Sequence, residues 1–263
     1  MPFHHENLHV YPRMLAFNAR VATWTDGWDT KHAIRDQLIR AASSMLENVA
    51  MASASHSSMR LRALDYSMGS SLECAACLDL ACVKRLLDAR TGLAEKLEVS
   101  QVARMLVGLR RSWSRLAHGV REDCGDYGAG DEWGDKRLEG ADVLFHHETL
   151  DVYRLSIEVA KAFCASDAVS RLSRQEFRRL DELLTSMVLN IAEGNGRFSE
   201  ADQARFLGTS HESAIKLAAR LDLFAARNLV SQDEVGVWKA MLERIAAMTF
   251  AMITGRRRRG REW

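Results

Sequence analysis

The chain has 263 residues, of which 47% are hydrophobic, enough to bury a core and too many for an intrinsically disordered protein. Its 36 basic and 35 acidic side chains nearly cancel, which excludes the uniformly basic surface of a general nucleic-acid coat. Two prolines, Pro2 and Pro12, and few β-branched or aromatic residues beside abundant Ala, Leu, Arg and Met predict an all-α protein without strands.

Helical periodicity places the first helix over Leu8 to Thr25, directly after His4-His5-Glu6. A second follows over Lys31 to Ser53, a third over Ser58 to Ala89 and a fourth over Leu97 to Leu116, with a break expected near Gly92. Residues 117–141 are dense in glycine and acid and lack periodicity, so a flexible linker is expected there. Four further helices are expected over 149–165, 174–193, 200–227 and 232–254. Three of them start at capping signatures, Ser173-x-x-Glu176, Ser199-x-x-Asp202 and Ser231-x-x-Glu234, in which the hydroxyl and the carboxylate each satisfy a free amide. Apolar residues such as Phe177, Leu180, Leu184, Met187, Val188 and Ile191 fall on one stripe, and the short turns predict antiparallel up-and-down packing.

An internal repeat organises the whole chain. His4-His5-Glu6-Asn7-Leu8-His9-Val10-Tyr11 returns as His146-His147-Glu148-Thr149-Leu150-Asp151-Val152-Tyr153, an offset of 142. Ser44-Met45-Leu46-Glu47-Asn48-Val49-Ala50 returns at the same offset as Ser186 to Ala192, and Leu78-Asp79-Leu80 returns at 143 as Leu221-Asp222-Leu223. The expected organisation is a divergent four-helix bundle over 1–116, the linker over 117–141, a second four-helix bundle over 142–255 and a basic tail over 256–263.

Residue chemistry points away from catalysis. Glu6-x-x-His9 has di-metal spacing, but its counterpart is Glu148-x-x-Asp151 and no facing helix repeats the motif, so neither a catalytic residue nor a metal centre is expected. Histidines of the repeated His-His-Glu either cap and solvate a helix start or bind a metal there, the first being the usual role of such residues. Cys74-x-x-Cys77 lacks a second pair and reads as buried thiols. No phosphate-binding loop or nucleophile elbow occurs, so no cofactor and no small-molecule substrate are expected. Five cysteines, odd in number, predict a reducing compartment, and the absence of a signal-like or spanning apolar run predicts a cytoplasmic protein without membrane contact.

Charge is uneven along the chain. Residues 1–116 hold 15 basic against 11 acidic side chains, whereas residues 141–255 hold 13 against 16. Arg60, Arg62, Lys84, Arg85, Arg110, Arg111 and Arg115 gather on the later helices of the first copy, and Arg256, Arg257, Arg258, Arg259 and Arg261 form a basic tail. These twelve are the candidate nucleic-acid-binding residues. Equally, an arginine tail keeps a terminus soluble or packs on acidic surface.

Asn190-Ile-Ala-Glu-Gly-Asn-Gly-Arg197, followed by Phe206-Leu207 and by Ser213 leading into Leu221-Asp222-Leu223, resembles the signature of the four-helix-bundle family encoded in intervening sequences of bacterial 23S ribosomal RNA genes. In the second copy the resemblance spans the module. The first keeps Asn48 and its apolar pair but has lost the acid, both glycines and the arginine, while its Gly69-Ser70-Ser71-Leu72-Glu73 is nearer the family's third helix than Ser213-Ala-Ile-Lys216 is. One branch of the family serves diversity-generating retroelements as the accessory variability determinant, a ring of single bundles that binds a reverse transcriptase and nucleic acid. The resemblance therefore implies a non-enzymatic binding and assembly module, with reverse transcriptase, RNA or DNA and self-association as the expected partners; a protein-interaction scaffold without nucleic acid is the alternative. Asn190, Glu193, Gly194, Gly196 and Arg197 are expected either to shape the turn, the two glycines ending the helix in left-handed conformations, or to contact a partner.

Overall fold

The computed structural model describes residues 4–117, 144–197 and 199–259. Within them the first copy consists of α1 (Val10–Asp26), α2 (Ala33–Ala54), α3 (Ser57–Val83) and α4 (Ala89–Ala117). The second consists of α5 (Asp151–Ala165), a single turn α6 (Asp167–Ser170), α7 (Arg174–Asn195), α8 (Glu200–Ala226) and α9 (Gln232–Arg259). In each copy successive long helices pack on one another and the first also packs on the last, giving two antiparallel four-helix bundles in tandem. The stretch expected to be a linker lies mostly outside the described residues.

The repeat in sequence is a repeat in hydrogen bonding. Ser44 Oγ lies 2.9 Å from Ser70 Oγ between α2 and α3, and Ser186 Oγ lies 2.9 Å from Ser213 Oγ between α7 and α8. Ser67 donates to the Met45 carbonyl as Ser210 donates to that of Met187. Both third helices end in the same motif: Arg85 (φ 55°) and Asn228 (φ 54°) stand in the left-handed region, and the next amides, Leu86 and Leu229, reach back to the carbonyls of Ala81 and Phe224. Around these polar ties the cores are apolar, with Phe17, Leu38, Met45 and Leu64 in one and Phe163, Met187, Phe224 and Trp238 in the other.

Three boundaries differ from the periodicity. α3 ends at Val83, and α4 begins at Ala89 rather than Leu97, because Asp88 caps it through the Thr91 amide and hydroxyl. Gly92 does not break the helix; it lies inside the first turns of α4, where a Cβ would come within 2.2 Å of the Cys82 sulfur. α9 continues through Gly255 to Arg259. Turn α6 was not foreseen; Ser166 caps it by accepting from the Val169 amide while donating to Glu234 on α9. The serine caps at 173, 199 and 231 all accept the expected amides, and Ser173 with Glu176 forms a full capping box.

Candidate nucleic-acid interface and the joint between bundles

The basic residues singled out in the first copy divide into two groups on opposite ends of α3. At its N-terminal end, Arg60 lays its guanidinium over the Trp113 ring at 4.9 Å, exposed Arg62 reaches the Tyr66 hydroxyl at 3.1 Å, and Arg110 bonds Asp65 at 2.6 Å. Arg111 is exposed on the same stretch of α4, and Arg115 lies on its last turn. The antiparallel course of α4 explains the grouping: its C-terminal turns return to the start of α3.

The second bundle brings its own cations to this end. Arg197 stacks between Tyr66 at 5.3 Å and Phe206 at 4.6 Å, and Arg205 covers the other approach to Phe206 at 4.4 Å. α9 runs back along α8, with His211 within hydrogen-bond distance of Ala246 and Thr249, so its final turns, which carry Arg256, Arg257, Arg258 and Arg259, return towards the start of α8. Arg261 lies outside the described residues. One end of the tandem therefore collects arginines from α3, α4 and α8 around Tyr66, Trp113 and Phe206. Planar cations interleaved with aromatic rings suit phosphates and unstacked bases.

Lys84 and Arg85 do not belong to this surface. Arg85 is exposed at the opposite end of α3, beside a cleft lined by Lys31, Arg174, Phe177 and Cys164. Lys84 is buried between the bundles: its ammonium is 2.5 Å from Asp181 and 3.1 Å from the Thr185 hydroxyl, with side-chain exposures of 2% for Lys84 and 4% for Asp181. The other Asp181 oxygen accepts the Ala33 amide at the start of α2. A charge so placed cannot meet phosphate; it ties the two modules.

The joint continues along α3. Tyr153 of α5 donates to Asp79 at 2.8 Å, and Lys96 of α4 bridges Asp79 at 2.7 Å and Glu148 at 3.1 Å. His147, of the repeated His-His-Glu, is fully buried between Phe145 and Tyr153, and burial together with Lys96 holds its pKa down at about 3, so it stays neutral. Ligand atoms of Asp79, His147 and Glu148 come within 4.8 Å of one another, but the Lys96 ammonium already stands against both carboxylates and gives the cluster the character of an ion-pair lock. Farther along, Glu73 is pushed up to about 7 by burial and by Glu193 nearby.

The family motif is part of the same joint. Glu193 and Arg197 pair, as their spacing suggests, and the Arg197 guanidinium packs on Gly69 of α3. The expectation of left-handed glycines is corrected: Gly194 is helical and Gly196 has φ −91°. Their role is close approach, since a Cβ on Gly196 would lie 1.7 Å from a Leu72 methyl and one on Gly194 would lie 3.0 Å from Phe206 Cβ. Asn190 bonds back to Ser186 within α7, leaving the bridge to α8 to Ser186 itself. The role of Asp79, Lys96, Tyr153, Asp181 and Gly69 in joining the bundles is not among the expectations from sequence. A signal existed: from Gly69 to Val83 the helix is small or apolar on nearly every face, as in a helix buried all round.

Fold and joint together define a tandem four-helix-bundle protein whose two modules are locked through a buried, polar-rimmed contact. The chain matches the 23S rRNA-intervening sequence protein family twice, over residues 6–108 and 148–251, and belongs to that family. It matches no curated protein and no solved structure. Among the described residues no helix is long and apolar enough to cross a membrane.

Proposed function

We propose that the chain is a non-enzymatic binding module that engages single-stranded or unpaired RNA or DNA at its arginine-rich end, in the manner of an accessory subunit to a reverse transcriptase. The observation that carries this reading is the convergence of Arg62, Arg111 and Arg205 beside Tyr66, Trp113 and Phe206. Phosphate neutralisation releases counterions, so binding of this kind weakens steeply with salt. Fluorescence anisotropy with labelled RNA and DNA oligonucleotides across a salt series tests it. Arg62→Glu with Arg111→Glu is expected to weaken binding about tenfold or more while leaving the melting temperature in place, the loss of about one to two phosphate contacts. Affinity indifferent to salt and to both substitutions would remove nucleic acid from the reading.

A protein partner is the second reading, favoured by Val237 and Phe250, which stand 62% and 57% exposed on α9. Capture of a reverse transcriptase that survives nuclease but not Phe250→Asp would assign the partner to that helix.

A further inference from the structure

The joint is head to tail: α3 of the first bundle packs on α5 and α7 of the second, and α8 makes no comparable packing on α1 or α2. A contact of this kind between two like modules leaves a spare half at each end, and spare halves that fit would add chain upon chain. We infer that both spare halves have been dismantled, so that the duplication closes on itself as one two-module unit and a second copy of the chain is rejected at this surface. This inference is independent of nucleic-acid binding.

Three features make the joint, and the spare halves lack all three. First, Gly196 is required where Leu72 leaves no room for a Cβ, and its counterpart in the first copy is Ala54, which would meet Ile215 in the place of Leu72. Second, Gly69 lets the Arg197 guanidinium lie flat on α3, where a Cβ at 2.7 Å would displace it; the α8 counterpart is Glu212, and the counterpart of Arg197 is Ser55. Third, the buried pair Lys84–Asp181 becomes Arg227 opposite Ile39, so the cation, paired with Glu176 of its own bundle at 3.2 Å, meets an apolar side chain and no carboxylate across the contact. Around Glu212 the outer face of α8 is solvated, with Lys216 paired to Glu212 at 3.1 Å where α3 carries Glu73.

One corner is retained. Asp222 and Lys239 pair at 2.7 Å as Asp79 and Lys96 do, and Glu6 and Tyr11 stand where Glu148 and Tyr153 would be. An exposed ion pair of this sort contributes about 1 kcal/mol or less, which does not offset the poor fit at the two close approaches and the burial of a cation that has lost its carboxylate across the contact.

The test rebuilds the missing halves in separate full-length chains. One carries Ile39→Asp, Ala54→Gly and Ser55→Arg; the other carries Glu212→Gly and Lys216→Glu. Light scattering behind size exclusion is expected to show each chain and the wild type at the mass of one chain, and the mixture at the mass of two. Circular dichroism of each chain confirms that it is folded before mixing. Because glycine within α8 weakens that helix, a second acceptor with only Lys216→Glu is run beside it and is expected to bind the first chain more weakly. A mixture that stays at one-chain mass with both partners folded overturns the inference. So does a wild-type oligomer that Lys239→Glu or Glu6→Lys dissolves, since the retained corner would then be a working contact.

Discussion

The two third helices, α3 and α8, are the same element in two surroundings. Each bridges to its preceding helix through a serine pair and ends in the same left-handed turn, yet α3 is buried nearly all round from Gly69 to Cys82 while α8 alternates buried and exposed positions along its length. The difference lies in what covers them: α5 and α7 cover α3, and nothing among the described residues covers α8 in the same way. Small and apolar residues on the outer face, Gly69, Leu72 and Cys77 against Glu212, Ile215 and Arg220, are thus the record of a neighbour and not of the bundle itself.

Paired substitutions in the two copies break or sharpen this comparison. The largest effect is expected at the buried ion pair: Lys84→Met leaves Asp181 charged and buried and should cost about 3 to 5 kcal/mol in urea unfolding. Its counterpart Arg227→Met, which loses an exposed contact to Glu176, should stay within about 0.5 kcal/mol. Equal losses at both sites would mean the joint is not what distinguishes the copies.

Next in size is the close approach at Gly196. Gly196→Val drives a side chain into Leu72 and is expected to destabilise by about 2 to 3 kcal/mol and to open the joint, seen as faster amide exchange in α3 around Leu72. Ala54→Val, at the matching place in the first copy, should be tolerated.

A pH profile separates the joint from the free face in another way. Glu73, with its pKa raised from 4.5 to about 7, adds stability that is complete below pH 4.5 and is lost as pH rises through about 7. His147, with its pKa lowered from 6.5 to about 3, acts oppositely: its contribution is present above pH 6.5 and is lost as pH falls towards 3. The two slopes oppose each other between about pH 4.5 and 6.5, so Glu73→Gln should expose a stability that climbs with pH across that window.

The smallest effects concern what the copies share. Ser44→Ala and Ser186→Ala each remove one half of an interhelical hydroxyl pair and should cost about 1 kcal/mol, alike in both bundles. Unequal costs would show that neighbouring modules reach even these interior ties.

Much of this architecture was legible in the chain itself. The offset repeat, the three serine caps and the apolar stripe through Leu180, Leu184 and Ile191 are local signals, written within a few residues of where they act, and they determined two helical bundles of one family. The arginines of α3 and α4 were legible as a group for the same reason. Tertiary structure alone decided which of them face solvent together. Antiparallel packing returned Arg110 and Arg111 to the side of Arg62, and the docking of α7 removed Lys84 into the interior against a carboxylate 97 residues away. It also decided that Gly194 and Gly196 serve contact and not chain reversal, because the reason for a missing Cβ lies in the atom that would touch it: Phe206 of the neighbouring α8 for Gly194, and Leu72 of the other bundle for Gly196.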